Sequence, residues 1–376
     1  MLQQLRQQKY KRDSRYHDVC QVLHIDIVLL SLLLLLACIG LFVLYSASEQ
    51  HGKMVEMQCV HLLCGFVLMF IFAQIPPTTL QRWAVPAYAI SCFLLVVVLM
   101  IGHTGKGAQR WLNLGVLHLQ PAELMKLTVP LILAWYYHHH HLPIQMKSLL
   151  VALPLMLIPA MLTAKQPDLG TAILIFLAGM GVLFLAGLPM RMIGAAVAAL
   201  IISAPLVWYR LHDYQRNRVL TFLNPERDPL GTGYHIIQSK IAIGSGGFFG
   251  KGWLNGTQSS LHFLPEHTTD FIFAVCGEEF GFAGCILILT VLMLIVSRGF
   301  YITLQAQDTF SRLLAGSLTL VFFISFFINV SMVTGLLPVV GVPMPLISYG
   351  GSSVVTMMAS FGMLMSIQTH RKLITT

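Results

Sequence analysis

Residues 27–48 read IVLLSLLLLLACIGLFVLYSAS, an uncharged apolar run of the length that crosses a bilayer as a single helix. A basic stretch carrying Arg6, Lys9, Lys11, Arg12 and Arg15 precedes it. The run is too long for the hydrophobic region of a signal peptide, and no small-residue cleavage site follows, so it is expected to be retained as a first span. Working outward, comparable runs recur at about 57–75, 83–102, 121–137, 148–164, 171–187, 192–208, 270–297, 312–336 and 350–367. With 26–48 these make ten expected helices. The fold class that follows is all-α: a polytopic membrane protein with a basic tail at 1–25, one membrane domain over 26–367, a large extracytoplasmic loop at 209–269, and a short tail at 368–376.

Composition agrees. Of 376 residues, 56% are apolar and 10% charged, where a soluble domain carries about a quarter charged residues. That excludes a soluble enzyme, a disordered chain and a secreted disulfide scaffold. The seven cysteines form no CxxC pair and lie mostly in apolar runs, as small core residues do. The formal charge of +8 is scattered among spans, which argues against nucleic acid as a partner. Even parity puts both termini on one side. Arg82, Lys147, Arg191, Arg298, Arg312, Arg371 and Lys372 join the basic tail there, so this side is expected to be cytoplasmic. Lys106 and Arg110 sit in a short outer loop against that rule, as they would if they met an anionic partner.

Polar groups inside spans are costly and commonly functional. Glu123 and Lys126 are spaced i, i+3 in the fourth expected span and share a helix face, either as a packing ion pair or in support of a site. Lys165–Thr171 (KQPDLGT) has Pro167 and Asp168 placed to start a helix. Leu264–Phe273 (LPEHTTDFIF) gathers Glu266, His267 and Asp270 just before an apolar run. Two readings are open there: Thr269 or Asp270 as a helix N-cap, or a general base held at the water–membrane boundary. Glu278 and Glu279 follow in the same span and are expected to face a polar cavity or Ser/Thr partners.

Several motifs fail. Ser245–Gly252 (SGGFFGKG) resembles a P-loop but lacks its first Gly and its last Ser/Thr. HExxH, GxSxG and Asp-x-Asp do not occur, and His138–His141 reads as a solvated loop. The outer loop nevertheless offers Arg216, Arg218, Arg227, Lys240 and Lys251 as cations, with Gly244, Gly246, Gly247, Gly250 and Gly252 permitting close backbone approach to an anion. Ile236–Ile243 is expected to form a short interfacial helix. These are the ingredients for gripping a lipid pyrophosphate.

Six separated motifs, in order along the chain, resemble the SEDS family (shape, elongation, division and sporulation proteins). They are KGAQRWL at 106–112, QPAELMK at 120–126, QPDLGT at 166–171, QRNR at 215–218, LPE at 264–266 with DFIFAV at 270–275, and PLISYGGSS at 345–353. The resemblance implies a peptidoglycan glycosyltransferase at the outer face of the bacterial cytoplasmic membrane, polymerising lipid II onto an undecaprenyl-pyrophosphate-linked glycan strand. It places the family's essential acid at Asp270. Many relatives carry His directly before the Thr-Asp pair; here Thr268 holds that place and His267 lies one residue earlier.

On this reading Asp270 is the general base of an inverting glycosyl transfer. Lys106, Arg110, Arg216, Arg218 and Lys240 neutralise the leaving pyrophosphate, Glu266 lines the substrate site, and Glu123 and Lys126 support it from within the membrane. No cofactor is required, and a divalent cation bridging the pyrophosphate is compatible with the chemistry. The implied partners are a class B penicillin-binding protein and other elongation-complex membrane proteins. GWLNGTQ at 252–258 looks more like the elongation branch than the cell-division branch. A lipid II flippase or a recruiting scaffold would share many of these features; neither needs a base at Asp270.

Overall fold

The structure, a computed structural model, describes residues 23–105, 108–113, 118–140, 142, 144–210, 216–217, 220–222, 224, 232–261, 263–264 and 266–370. Each expected span is occupied by a helix: α1 (Ile27–Ala47), α2 (Gly52–Gln74), α3 (Pro77–Ile101), α4 (Pro121–His138), α5 (Met146–Lys165), α6 (Leu169–Leu185) and α7 (Met190–Arg210). Two shorter helices follow in the long loop, α8 (Thr232–Ser245) and α9 (Thr257–Ser260), then α10 (Ile272–Gln305), α11 (Thr309–Val333) and α12 (Gly351–Thr369). Of these, α1, α2, α3, α5, α10 and α11 are long and apolar enough to cross a membrane. The protein is therefore a multi-pass membrane protein. The basic residues of 1–22 and the pair Arg371 and Lys372 lie outside the described residues.

Burial sorts the helices. The apolar window of α11 is 72% buried and those of α2 and α3 only 22%, so α11 is central and the other two present broad apolar faces outward. α4 is buried nearly from end to end, from Pro121 to Ala134. Small residues allow the close crossings, as expected where packing replaces the hydrophobic drive. A side chain at Gly362 of α12 would run into the backbone of Met69 on α2, and one at Gly65 of α2 would press on Met358 of α12.

Three features were not visible as apolar runs. Between α3 and α4 a small antiparallel sheet forms from β1 (His103–Gly105), β2 (Ala108–Asn113) and β3 (His118–Leu119), in the order β1-β2-β3. Second, α10 is interrupted at Gly281, whose φ of 64° is left-handed. Third, the segment joining α11 to α12 is not helical, yet it is buried: Val342, Met344, Leu346, Ile347 and Ser348 are all at most 3% exposed. Irregular backbone at this depth survives only when protein groups satisfy its polar atoms, and the residues that do so assemble the site.

Candidate functional site

The turn that carries Asp270 is built from its own backbone first. The amides of Thr269 and Phe271 both donate to the Glu266 carbonyl, at 3.1 and 3.2 Å, with Glu266 in the left-handed region at φ 53°. The Thr269 hydroxyl adds a bond to Glu266 Oε2 at 2.9 Å. Helix α10 begins after this turn with Phe271 at its N-cap and no side-chain cap. Asp270 is therefore not the N-cap residue that the local sequence allowed; Phe271 holds that position.

The buried segment after α11 then locks the turn in place. Ser348 Oγ donates to the Thr269 carbonyl at 2.5 Å, and the Tyr349 amide donates to the Thr268 carbonyl at 2.9 Å. Asn329 of α11, fully buried, spreads its Nδ2 between the carbonyls of Asp270 and Val342, each at 2.8 Å. Gln58 of α2 bonds Ser348 O and the Gly350 amide, both at 3.3 Å. Glycine is needed at 341: its φ is 74°, and a Cβ there would sit 3.5 Å from Asp270 Oδ2. The Asp270 side chain thus faces the backbone of this segment, half-buried at the end of the bundle where α10 and α12 begin.

Two ion pairs flank the same segment. Glu123 and Lys126, one turn apart on α4, pair at 2.6 Å with side chains only 5% and 9% exposed, and Thr356 of α12 donates to Glu123 at 3.0 Å. Lys126 lines a small cavity with Val342, whose carbonyl Asn329 ties to that of Asp270. On the other flank, the sheet delivers Arg110 from β2 to the start of α6. Its guanidinium donates to the Pro167 carbonyl and lies 3.7 Å from Asp168. Asp168, 3% exposed, also accepts from Gln120 at 2.9 Å and caps α6 through the Thr171 amide. A side chain at Gly170 would strike the Val340 carbonyl, so α6 abuts the segment that faces Asp270.

The other expected site residues divide. Lys240 is exposed on α8, its Cε and Nζ lying against Gly335 at the end of α11. Arg216 turns back on α7, donating to the carbonyls of Trp208 at 2.9 Å and Tyr209 at 2.8 Å; it caps that helix end, where a cation is favoured. Lys106, Arg218 and Arg227 lie outside the described residues. His267 hydrogen-bonds the Leu264 carbonyl through Nδ1, at 2.9 Å.

The glycine-rich stretch departs from the expectation of an anion cradle. The amides of Lys251 and Gly252 donate to the carbonyls of Glu278 and Glu279 at 3.0 Å, and the amides of Phe282 and Ala283 donate to Gly247 and Phe248 at 3.0 Å. The loop repairs the hydrogen bonds that α10 loses at Gly281. Lys251 is likewise committed, at 2.7 Å from fully buried Glu278, which also accepts from the Thr257 amide and hydroxyl at 2.8 and 2.9 Å. Glu279 accepts from Ser46 of α1 at 2.5 Å. The Ser/Thr partners expected for the two carboxylates are present.

Two contributors to the site were missed in the sequence. Asn329 has no local signal, being one polar residue in an apolar helix, although such a residue inside a span is itself a reason to look. His235 on α8 stacks on Phe271, the residue after Asp270, with ring centroids 5.9 Å apart and planes 16° from parallel. Burial pulls the His235 pKa below its ordinary value, against an opposing pull from Glu266. Among the described residues no group of three or more His, Cys, Asp or Glu converges as a metal site.

Residues 26–373 match the profile of the cell cycle protein family of FtsW, RodA and SpoVE. The chain is 51% identical over 352 residues to the peptidoglycan glycosyltransferase MrdB of Escherichia coli (strain K12), covering 93% of this chain and 95% of that one. It is 37% identical over 361 residues to a probable peptidoglycan glycosyltransferase FtsW of Trichlorobacter lovleyi, covering 93% and 94%. Among solved structures, it resembles a chain from a peptidoglycan synthase complex that coordinates polymerization and crosslinking, with a TM-score of 0.81 and 33% identity over 91% of this chain and 97% of the other. The rod shape determining protein RodA of Thermus thermophilus matches with a TM-score of 0.70 and 28% identity over 91% and 96%.

Proposed function

The chain belongs to the cell cycle protein family of FtsW, RodA and SpoVE, and from that membership we propose that it is a peptidoglycan glycosyltransferase of cell elongation. It polymerises lipid II into glycan strands at the outer face of the bacterial inner membrane, with both termini in the cytoplasm and the Asp270 turn outside. The 51% identity to MrdB favours elongation over division. Likeness to a chain of a peptidoglycan synthase complex supports a working partner that crosslinks the strand, a class B penicillin-binding protein.

The observation that carries the chemistry is the placement of Asp270. Its main chain is clamped by Asn329 and its turn by Ser348, and its half-buried side chain lies against the backbone of Gly341. In the proposed step the GlcNAc 4-hydroxyl of lipid II attacks the anomeric carbon of the MurNAc that ends the growing strand. The new C–O bond forms as the bond to the undecaprenyl pyrophosphate breaks, with inversion. Asp270 takes the hydroxyl proton. The leaving group needs cations rather than an acid; that role is assigned to Lys106, Arg110, Arg216, Arg218 and Lys240, with Arg216 acting from the carbonyl cap it forms at the end of α7. Asp168 and the Pro167 carbonyl fix Arg110 while leaving its side chain 32% exposed. Glu266 shapes the turn, and Glu123 and Lys126 brace the buried segment from below. The step calls for no soluble cofactor; a divalent cation would find its ligands first on the substrate pyrophosphate.

Asp270→Asn tests this. Loss of a general base lowers turnover about 10²- to 10⁴-fold, so polymer formation from purified lipid II is expected to fall by that factor while membrane insertion and unfolding stay as in the parent. Substantial polymer from the variant would remove Asp270 from the base role. Translocation of lipid II in vesicles without polymer from the parent would replace the enzyme with a transporter.

A further inference from the structure

Resting on the assignment of glycosyl transfer to the Asp270 turn, we propose that His235 is a substrate-contacting residue of the same reaction, hydrogen-bonding an oxygen of the lipid-linked saccharide pyrophosphate through its ring. Helix α8 is held in one register. Ile236, Ser239 and Ala242 are at most 2% exposed, Ser239 donates to the Val333 carbonyl at 2.6 Å, and Ile243 packs on Gly277 of α10. His235 lies one turn before Ser239 on the same helix face. That face brings its imidazole onto Phe271, which is itself 2% exposed and adjoins Asp270 in sequence.

The stack on Phe271 orients the ring and leaves one of its nitrogens unpaired. His235 Nδ1 is buried and has no hydrogen-bond partner. The corresponding nitrogens of His51, His139, His140, His267 and His370 meet a backbone carbonyl; His61 shares the lack of a partner, but its ring lies tilted near Tyr349 rather than on Phe271. A buried nitrogen without a partner keeps its desolvation penalty unrepaid, and its position beside the Asp270 turn gives it a use. Burial favours the neutral ring despite Glu266. A neutral imidazole offers one donor and one acceptor, which suits a sugar hydroxyl or a phosphate oxygen. No proton needs to leave the ring in this role; the contact orients the substrate while Asp270 performs the transfer.

The test compares His235→Phe, which keeps the stack and removes both nitrogens, with His235→Gln, which restores a donor and an acceptor on a side chain that does not titrate. Full-length protein is assayed on purified lipid II, with and without a class B penicillin-binding protein, alongside Asp270→Asn. His235→Phe is expected to lower kcat/KM by about 10²- to 10³-fold, the range for one lost transition-state hydrogen bond, with stability kept or raised because the unpartnered nitrogen is gone. His235→Gln is expected to recover most of the loss. Parent-level polymerisation by His235→Phe, or equal loss in both variants, overturns the proposal. If the phenylalanine variant does not insert, His235→Leu takes its place under the same criteria. Competition by undecaprenyl pyrophosphate identifies the contact: weakened competition in His235→Phe marks a phosphate oxygen, and unchanged competition with poorer use of lipid II marks a sugar hydroxyl. An active Asp270→Asn would dismiss the base assignment alone, because it leaves the His235 comparison readable.

Discussion

Removing the charge of Lys126 while keeping its length, as in Lys126→Met, isolates what the buried pair on α4 does. The Nζ–Oε2 separation is 2.6 Å, and the two side chains are 9% and 5% exposed. At an effective dielectric near 20 the direct attraction is about 6 kcal/mol, and most of it offsets the desolvation of both ions. The single substitution keeps the desolvation of Glu123 and loses the attraction. Among the described residues only the Thr356 hydroxyl remains on that carboxylate, at 3.0 Å, so the expected loss of stability is about 3–5 kcal/mol. Glu123→Gln strands Lys126 in the same way. The double variant Glu123→Gln with Lys126→Met leaves two neutral side chains of similar volume and is expected within about 1–2 kcal/mol of the parent.

A double-mutant cycle measured by denaturant unfolding in mixed micelles, followed by far-UV circular dichroism, reads the coupling directly. Coupling of about 3 kcal/mol or more is expected. Singles that cost under 1 kcal/mol, or effects that simply add, would refute the assignment of a desolvated pair. Activity supplies the second half. Lys126 lines the cavity that contains Val342, which Asn329 links to Asp270. The folded double variant is therefore expected to polymerise lipid II poorly. Full polymerisation by the double variant would reduce the pair to packing alone.

Two further outcomes follow from contacts that no charge mediates. Asn329→Leu is close in volume and strips both bonds from the carbonyls of Asp270 and Val342; it is expected to lower kcat for lipid II more than it raises KM and to cost about 1–3 kcal/mol in unfolding, and unchanged kcat would show that the turn holds without the clamp. Gly250→Ala places a Cβ in a left-handed position, φ 81°, against the backbone of Glu279. It is expected to destabilise by about 2 kcal/mol or more and to raise protease cleavage within 246–258, whereas Gly244→Ala, which meets no neighbour within 4 Å, is expected to be silent in both measurements.

The helical spans were legible because an apolar run of bilayer length is a local property: once every backbone group must find its partner inside the segment, length and hydropathy nearly dictate a helix. The Glu123–Lys126 pair was legible for the same reason, since helical spacing alone puts the two side chains together. Asp270 stood out through the acid-rich turn and the ordered motifs around it, but whether it capped α10 or faced a site could not be read there, because both uses require the same side chain at the same place. The backbone of Glu266 and the cap position of Phe271 take the N-cap place away from Asp270. The glycines of 244–252 showed the same ambiguity. A glycine turn presents amides to whatever acceptor approaches, and here the acceptors are carbonyls of α10 freed by the break at Gly281.

Chain composition and run length by themselves determined a multi-helix membrane protein with a polar, acid-bearing loop at one end. Only the tertiary structure decided that the chain between α11 and α12 turns inward beneath Asp270, that Asn329 ties the two together across 59 residues, and that His235 reaches Phe271, the residue beside Asp270. The physical reason is range. Helix formation is settled among near neighbours, whereas a buried carbonyl or ring nitrogen accepts any partner of suitable geometry, and which one arrives depends on how the helices pack.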